Sequence, residues 1–178
     1  MNTKFIVAAF FPIYPITFGS SVVISSFFEN IPFRNKVLYQ ISPQKKIKNK
    51  FLQNTYCFNE NKFIKFFFVL KLIKNILVDI SKTKEKKVLV IEGASWIGYS
   101  FILVFLVKVL FSNVKVYYKG HSIEYEIRKK NNNFFISSIS FFLEKFVYNL
   151  SDISSSVSNL EKNKIRKLYK VKTKIFPN

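Results

Sequence analysis

Cysteine, histidine and glycine are all scarce in this sequence, and each scarcity removes a class of chemistry. Cys57 is the single cysteine, so no disulfide forms within the chain, no cysteine-based zinc site can be built, and a reducing compartment is the expected setting. His121 is the single histidine, and no G-x-S-x-G turn accompanies it, so a Ser–His–acid triad is not expected. With four glycines there is no G-x-G-x-x-G after the first strand, which counts against a nicotinamide or flavin dehydrogenase. Acidic residues are few as well: 10 Asp and Glu stand against 29 Lys and Arg, a net charge of +19. That field attracts nucleic acid, anionic lipid or phosphorylated substrates. The lysines are spread through almost every segment, however, and no recognition helix or RNA-binding motif is present, so nucleic acid is not an expected partner.

Long apolar runs are missing too. The stretch from Lys4 to Glu29 carries no charge between its ends, but Pro12, Pro15 and Gly19 interrupt it, and Phe5 to Phe11 is far short of the ~20 residues of a span. Tyr99 to Phe111 is only helix length and contains Lys108. No transmembrane segment is expected. The expected location is the cytoplasm, with peripheral contact at the inner face of the membrane as a further option.

What is present is a core. The chain has 178 residues, 49% of them hydrophobic, enough for one domain of ordinary size. Lys4 to Phe11 is an apolar run of strand length, and the loop Pro12 to Ser21 leads into a helix to about Asn30 that Ser20 or Ser21 can cap. Lys36 to Ser42 reads as a second strand, Pro43 to Lys50 as a solvated loop, and Tyr56 to Phe58 as a short edge strand. Lys62 to Ile80 has apolar residues at helical spacing. Its Phe63, Phe67 and Phe68, with Lys62, Lys65, Lys71 and Lys74, suit either packing on a sheet or lying on an anionic membrane surface.

Lys86 to Ile91 is the next buried strand, and it runs into Glu92-Gly-Ala-Ser-Trp-Ile-Gly-Tyr-Ser. Gly93 and Gly98 have the spacing of a phosphate-binding P-loop, but Tyr99 and Ser100 stand where Lys and Ser or Thr are needed, so an ATPase or kinase is not expected. A tight turn is expected instead, with Ser95 capping a helix from Trp96 to Phe111 and Trp96 at the mouth of a cleft. Val114 to Tyr118 reads as a strand, Lys119 to Ser122 as a loop and Ile123 to Lys130 as a helix, so His121 sits on a strand-to-helix loop with Gly120 turning the backbone before it. Such loops bind ligands in open α/β sheets; the alternative is a loop histidine bonded to a neighbour. Asn131 to Asn133 breaks the pattern. Phe134 to Leu150 then carries Phe135, Ile139, Phe142, Leu143, Phe146 and Leu150 at helical spacing, which predicts a core helix. Asp152 to Val157 is a strand, Ser158 to Glu161 an S-x-x-E capping box opening a helix to about Tyr169, and Thr173 to Phe176 a last short strand. This alternation predicts an α/β fold: a Rossmann-like, doubly wound parallel sheet with helices on both faces.

The block Ser151 to Asn178, SDISSSVSNLEKNKIRKLYKVKTKIFPN, resembles the end of the N-terminal domain of family 4 glycosyltransferases of the GT-B fold. Lys119-Gly-His-Ser-Ile-Glu-Tyr-Glu is similar to that family's histidine loop, and Pro12 to Ser21 occupies the place of its N-terminal glycine loop, with Gly19 where paired glycines are common. The resemblance implies that residues 1–178 are the acceptor-side domain of a retaining enzyme that moves a sugar from a nucleotide-diphosphate donor to a glycan or lipid-linked acceptor. It implies that His121 faces the transferred sugar and that Gly19 and Ser20 approach the donor diphosphate. No metal and no cofactor beyond the sugar nucleotide are implied. Gly93, Trp96, Gly120, Ser122, Glu124 and Arg128 are the cleft and acceptor candidates, with a surface ion pair the favoured role for Glu124 and Arg128. The family continues past the point matching Asn178 into a second domain that binds the nucleotide and carries a paired-glutamate motif. Residues 1–178 alone are therefore expected not to transfer sugar, and a second subunit carrying that domain is an expected partner. The competing expectation is a non-catalytic basic module on anionic lipid or a polyprenyl phosphate.

Overall fold

The structure is a computed structural model that describes residues 3–17, 19–32, 35–44, 47, 49–57, 61–82, 85–131 and 134–176. In chain order the elements are β1 (Thr3–Ala9), α1 (Gly19–Glu29), β2 (Lys36–Ser42), β3 (Leu52–Tyr56), α2 (Lys62–Lys82), β4 (Lys86–Glu92), α3 (Ile97–Leu110), β5 (Val114–Lys119), α4 (Glu124–Lys130), α5 (Phe134–Leu150), β6 (Ile153–Ser156), α6 (Asn159–Tyr169) and β7 (Lys174–Ile175). The strands form one parallel sheet in the order β3-β2-β1-β4-β5-β6-β7. The order grows outward in both directions from β1 and β4, which is the doubly wound, Rossmann-like α/β arrangement that the alternating sequence predicts. Among the described residues, no helix is long and apolar enough to cross a membrane.

The chain divides into two compact units, residues 1–90 and 91–178, with the boundary inside β4. In the first unit β1 is buried without interruption from Ile6 to Ala9, the continuous pattern of a parallel strand covered on both sides. Val7 lies opposite Leu38 of β2, and Leu38 opposite Leu52 of β3. Val69, Leu72, Ile73, Ile76 and Ile80 form the buried stripe of α2, and Ile24 and Phe28 that of α1. Lys36 closes α1: its Nζ donates to the carbonyls of Phe28, Glu29 and Ile31 at 2.9, 2.8 and 3.0 Å, satisfying acceptors the helix end leaves open. Buried Gln40 pins the loop after β1, accepting from the Ile13 and Tyr14 amides at 2.9 Å each and donating to the Tyr14 carbonyl at 2.7 Å.

Several local expectations are corrected. Gly19, Ser20 and Ser21 lie inside α1, and the Ser21 hydroxyl donates to the Pro12 carbonyl at 3.0 Å, so it ties the loop down rather than capping the helix. The edge strand β3 starts at Leu52 and ends at Tyr56; Phe58 lies outside the described residues, as do Asn132, Asn133, Pro177 and Asn178.

The largest correction is the facing of α5. Its buried residues are Ser137, Ser140, Glu144, Val147 and Tyr148, whereas Phe135, Ile139, Phe142 and Phe146 are exposed. Hydrophobic spacing identified the helix and mistook its inner side. Glu144 is turned inward by fixed hydrogen-bond donors described below, and the small serines let α3 and α4, which both pack on α5, come close.

The end of the chain follows the expected pattern. Ser158 caps α6, its Oγ accepting from the Glu161 amide at 3.2 Å, while Glu161 Oε2 accepts from the Val157 amide at 3.3 Å. The Ser158→Ala variant is expected to lose about 1 kcal/mol of unfolding free energy, the usual worth of such a cap, measured by urea denaturation. A variant as stable as the parent would show that the cap is replaced by water at no cost.

Candidate functional site

Three strands end within the second unit in polar residues. The run KKVLVIE of β4 stops at Glu92, β5 stops at Lys119, and β6 consists of Ile153, Ser154, Ser155 and Ser156. Glu92 and Lys119 are fully buried and form an ion pair, Nζ to Oε1 at 3.5 Å. His121 lies on the other carboxylate oxygen, Nε2 to Oε2 at 2.7 Å, with its ring mostly covered. The Lys119 ammonium also stands 4.7 Å above the ring of Phe176, a favourable cation–π placement. Burial pulls Lys119 below the ordinary lysine range, and the Glu92 carboxylate opposes that shift.

This arrangement fixes the chemistry of the imidazole. A carboxylate in an ion pair only accepts hydrogen bonds, so His121 Nε2 carries a proton toward Glu92. Nδ1 is then the acceptor of the neutral ring, able to receive a hydroxyl hydrogen, or a second donor when the ring is charged.

Two glycines let these strand ends come together. The Gly93 amide donates to the Lys119 carbonyl at 2.8 Å, and a Cβ there would meet Tyr118 Oη at 2.5 Å and that carbonyl at 2.9 Å. The Gly120 amide donates to the Ser155 carbonyl at 3.1 Å, and a Cβ there would collide with Tyr148 Oη. Both positions are therefore set by close backbone approach. Gly98 makes room for the Trp96 ring, whose atoms would sit 2.6 Å from a Cβ. Trp96 is partly exposed and packs edge-on to Tyr99, with ring centroids 5.1 Å apart.

The loop carrying His121 is held by two carboxylates acting in series, buried Glu144 and half-buried Glu124. Glu144 of α5 accepts from the amides of Glu124 and Tyr125 at 2.7 and 2.9 Å, and from Tyr169 Oη at 2.6 Å. It thereby caps α4, directly after the His121 loop. Glu124, the first residue of α4, caps α3 in turn: its Oε2 accepts from the Ile97 amide at 2.7 Å, favourable at a helix N-terminus. Its Oε1 takes Arg128 Nε and Nη2 at 3.0 and 2.7 Å. Burial pushes the Glu144 carboxyl up to about 7, against the lowering effect of its three donors.

These contacts revise two expectations. Glu124 and Arg128 form the expected i,i+4 ion pair, but the half-buried Glu124 also caps α3. Ser95 does not cap α3: the N-cap residue is Trp96, without a side-chain bond, and the Ser95 Oγ is buried without a hydrogen bond. Glu124 reaches the Ile97 amide from 27 residues away, a partner no local pattern indicates.

The second unit thus brings together Gly93, Gly120, His121, Trp96, Glu124 and Arg128, with Ser122 half-buried beside His121. Gly19 and Ser20 belong to the first unit, at the start of α1; a Cβ on Gly19 would meet nothing within 4 Å, so no crowding demands glycine there. Lys62, Lys65, Lys71 and Lys74 are also in the first unit, on α2. Phe63 and Phe67 beside them are 81 and 70% exposed. Glu92, Lys119 and Glu144 are the residues missed by reading the sequence. The signal for the first two was a charged residue closing each of two apolar strands. A recess of about 360 Å³ lined by Ser151, Asp152, Lys170 and Lys172 opens at the start of β6, the end of the strand away from His121. Among the described residues no group of three His, Cys, Asp or Glu gathers as metal ligands do.

The sheet order and the polar strand ends define a Rossmann-like α/β protein. Comparison with protein-family models and with curated proteins gave no match to this sequence.

Proposed function

We propose that residues 1–178 form the N-terminal, acceptor-binding domain of a retaining glycosyltransferase of GT-B architecture. It would act with a sugar-nucleotide-binding domain to pass a sugar from a nucleotide-diphosphate donor to a glycan or lipid-linked acceptor. The observation that carries the reading is the placement of His121 on the loop after the fifth strand of a parallel sheet, with Nε2 held 2.7 Å from buried Glu92. Ligands of open α/β sheets bind at such strand ends, and Nδ1 is left to meet a sugar hydroxyl. The likeness of the His121 loop and of Ser151 to Asn178 to the family 4 enzymes supports the same reading. In it, Gly19 and Ser20 approach the diphosphate, and Trp96 and Ser122 border the acceptor.

The test is transfer of labelled sugar from UDP- and GDP-sugars to lipid and glycan acceptors, by the chain together with a sugar-nucleotide-binding domain in the same polypeptide or in trans. His121→Ala is expected to lower transfer roughly a hundredfold, as loss of one preorganised hydrogen bond at a reacting centre does, assayed below the variant's own melting temperature, which falls because buried Glu92 Oε2 loses its partner. Transfer at the parent rate by that variant would remove His121 from the site, and no transfer by any combination would overturn the reading.

A second reading, a basic module on anionic lipid, is favoured by the exposure of Phe63 and Phe67 next to Lys62, Lys71 and Lys74 on α2. Aromatic and basic residues sharing a helix face suit a lipid headgroup layer.

A further inference from the structure

A different pair of helices, in the second unit, turns its apolar side outward. Phe135, Ile139, Phe142 and Phe146 recur at i, i+4, i+7 and i+11 on α5, a single helical stripe, and they are 74, 39, 58 and 54% exposed. The stripe continues onto α3: Phe101 contacts Phe105 and Phe146, with ring centroids 5.9 and 6.1 Å apart, and Phe105 and Val109 are exposed beyond it.

The charge around this surface has one sign. α3 contains no acidic residue, and the single acidic residue of α5, Glu144, is buried. On α4, Glu124 is engaged by Arg128 and Glu126 by Lys164. Asp152, just after α5, is held by Lys108 and Lys115. Lys129, Lys130 and Lys145 are exposed.

We infer that the α3/α5 face seats on an anionic lipid bilayer, with the phenylalanines at the boundary of headgroups and acyl chains and the lysines on lipid phosphates. Charge decides between this occupant and a second copy of the chain. A two-fold contact turns a patch upon itself, and here cations would meet cations, because each described carboxylate of α4, of α5 and at Asp152 is buried or already held by a cation. A bilayer containing acidic phospholipid supplies the missing counter-charge and needs no hydrogen-bonding partners from the apolar stripe. The inference stands apart from the glycosyltransferase reading and concerns a different surface from α2.

The test is co-sedimentation of the purified chain with vesicles of phosphatidylglycerol in phosphatidylcholine, and with phosphatidylcholine alone. Binding is expected only to the acidic vesicles, weakening as salt is raised. The double variant Phe142→Ser/Phe146→Ser is expected to lower partitioning at least about tenfold, while Phe63→Ser/Phe67→Ser keeps the part of the binding that depends on Phe142 and Phe146. Both variants alter exposed side chains, so circular dichroism and melting should match the parent. Parent-like binding by Phe142→Ser/Phe146→Ser, or no binding of the parent to acidic vesicles, would overturn the inference. So would a concentration-dependent dimer in sizing chromatography that this variant abolishes, since the face would then pair two copies.

Discussion

Replacing Glu92 by leucine is expected to cost the fold about 3–5 kcal/mol, the usual penalty when one partner of a buried ion pair is removed. Both residues are fully buried and 3.5 Å apart, so the change takes the opposing carboxylate from an ammonium held in the interior above the Phe176 ring. It also takes the acceptor from His121 Nε2. Domains of this size are stable by about 5–15 kcal/mol, so the loss approaches the whole in the worst case, and urea denaturation will read it directly. Two companion variants separate the causes. Glu92→Leu/Lys119→Met removes both charges and is expected to recover most of the loss, because an apolar pair of similar volume needs no desolvation. Glu92→Gln keeps a hydrogen-bonding group for His121 while removing the charge, and should fall between. If Glu92→Leu costs less than about 1 kcal/mol, the range of a solvent-exposed pair, then water reaches Lys119 and the site is wetter than its packing indicates.

Why this pair was invisible in the sequence, while the strands bearing it were not, follows from what each signal measures. The bounds of β2 and α5 match the expected ones, because Lys36 to Ser42 and Phe134 to Leu150 carry a strand-like run and a helical period that a local window can detect. The capping box at Ser158 and Glu161 is equally local. The position of His121 after β5 was also legible, since strand, glycine and helix follow one another within a few residues. Its partner was not: Glu92 is 29 residues away and becomes a neighbour only because β4 and β5 lie side by side in the sheet. The same holds for Glu124 at the Ile97 amide and for Glu144 at the start of α4. Each is a carboxylate recruited across the chain to a helix end that lacks its own cap. The facing of α5 failed for a related reason. The period fixed the stripe, but which side turns inward was decided by Glu144 meeting three donors, and a residue that reads as solvent-facing became the buried one.

Glu144 also sets an expected pH dependence. Its carboxyl is raised from 4.5 to about 7 by burial, so between these values the folded chain holds a proton that the unfolded chain has released. Stability then falls as pH rises. The contribution is fully present below about 4.5 and is lost as pH passes through about 7; at 1.36 kcal/mol per unit, it amounts to about 3 kcal/mol. The protonated acid can be accommodated, because the Tyr169 hydroxyl can turn to accept from it while the Glu124 and Tyr125 amides keep donating. Asp152 acts with the opposite sign: its pKa is lowered by Lys108 and the Val116 amide against the pull of burial, so its contribution is lost only in stronger acid, below the Glu144 window. Glu161 is raised by burial as well, and subtracting a Glu144→Gln series removes its share. The difference in unfolding free energy between the parent and Glu144→Gln is therefore expected to fall by about 3 kcal/mol as pH rises from about 4.5 to about 7. A difference that stays constant over that interval would mean that the three donors keep Glu144 ionised throughout. The α4 cap, and with it the loop that carries His121, would then be insensitive to pH.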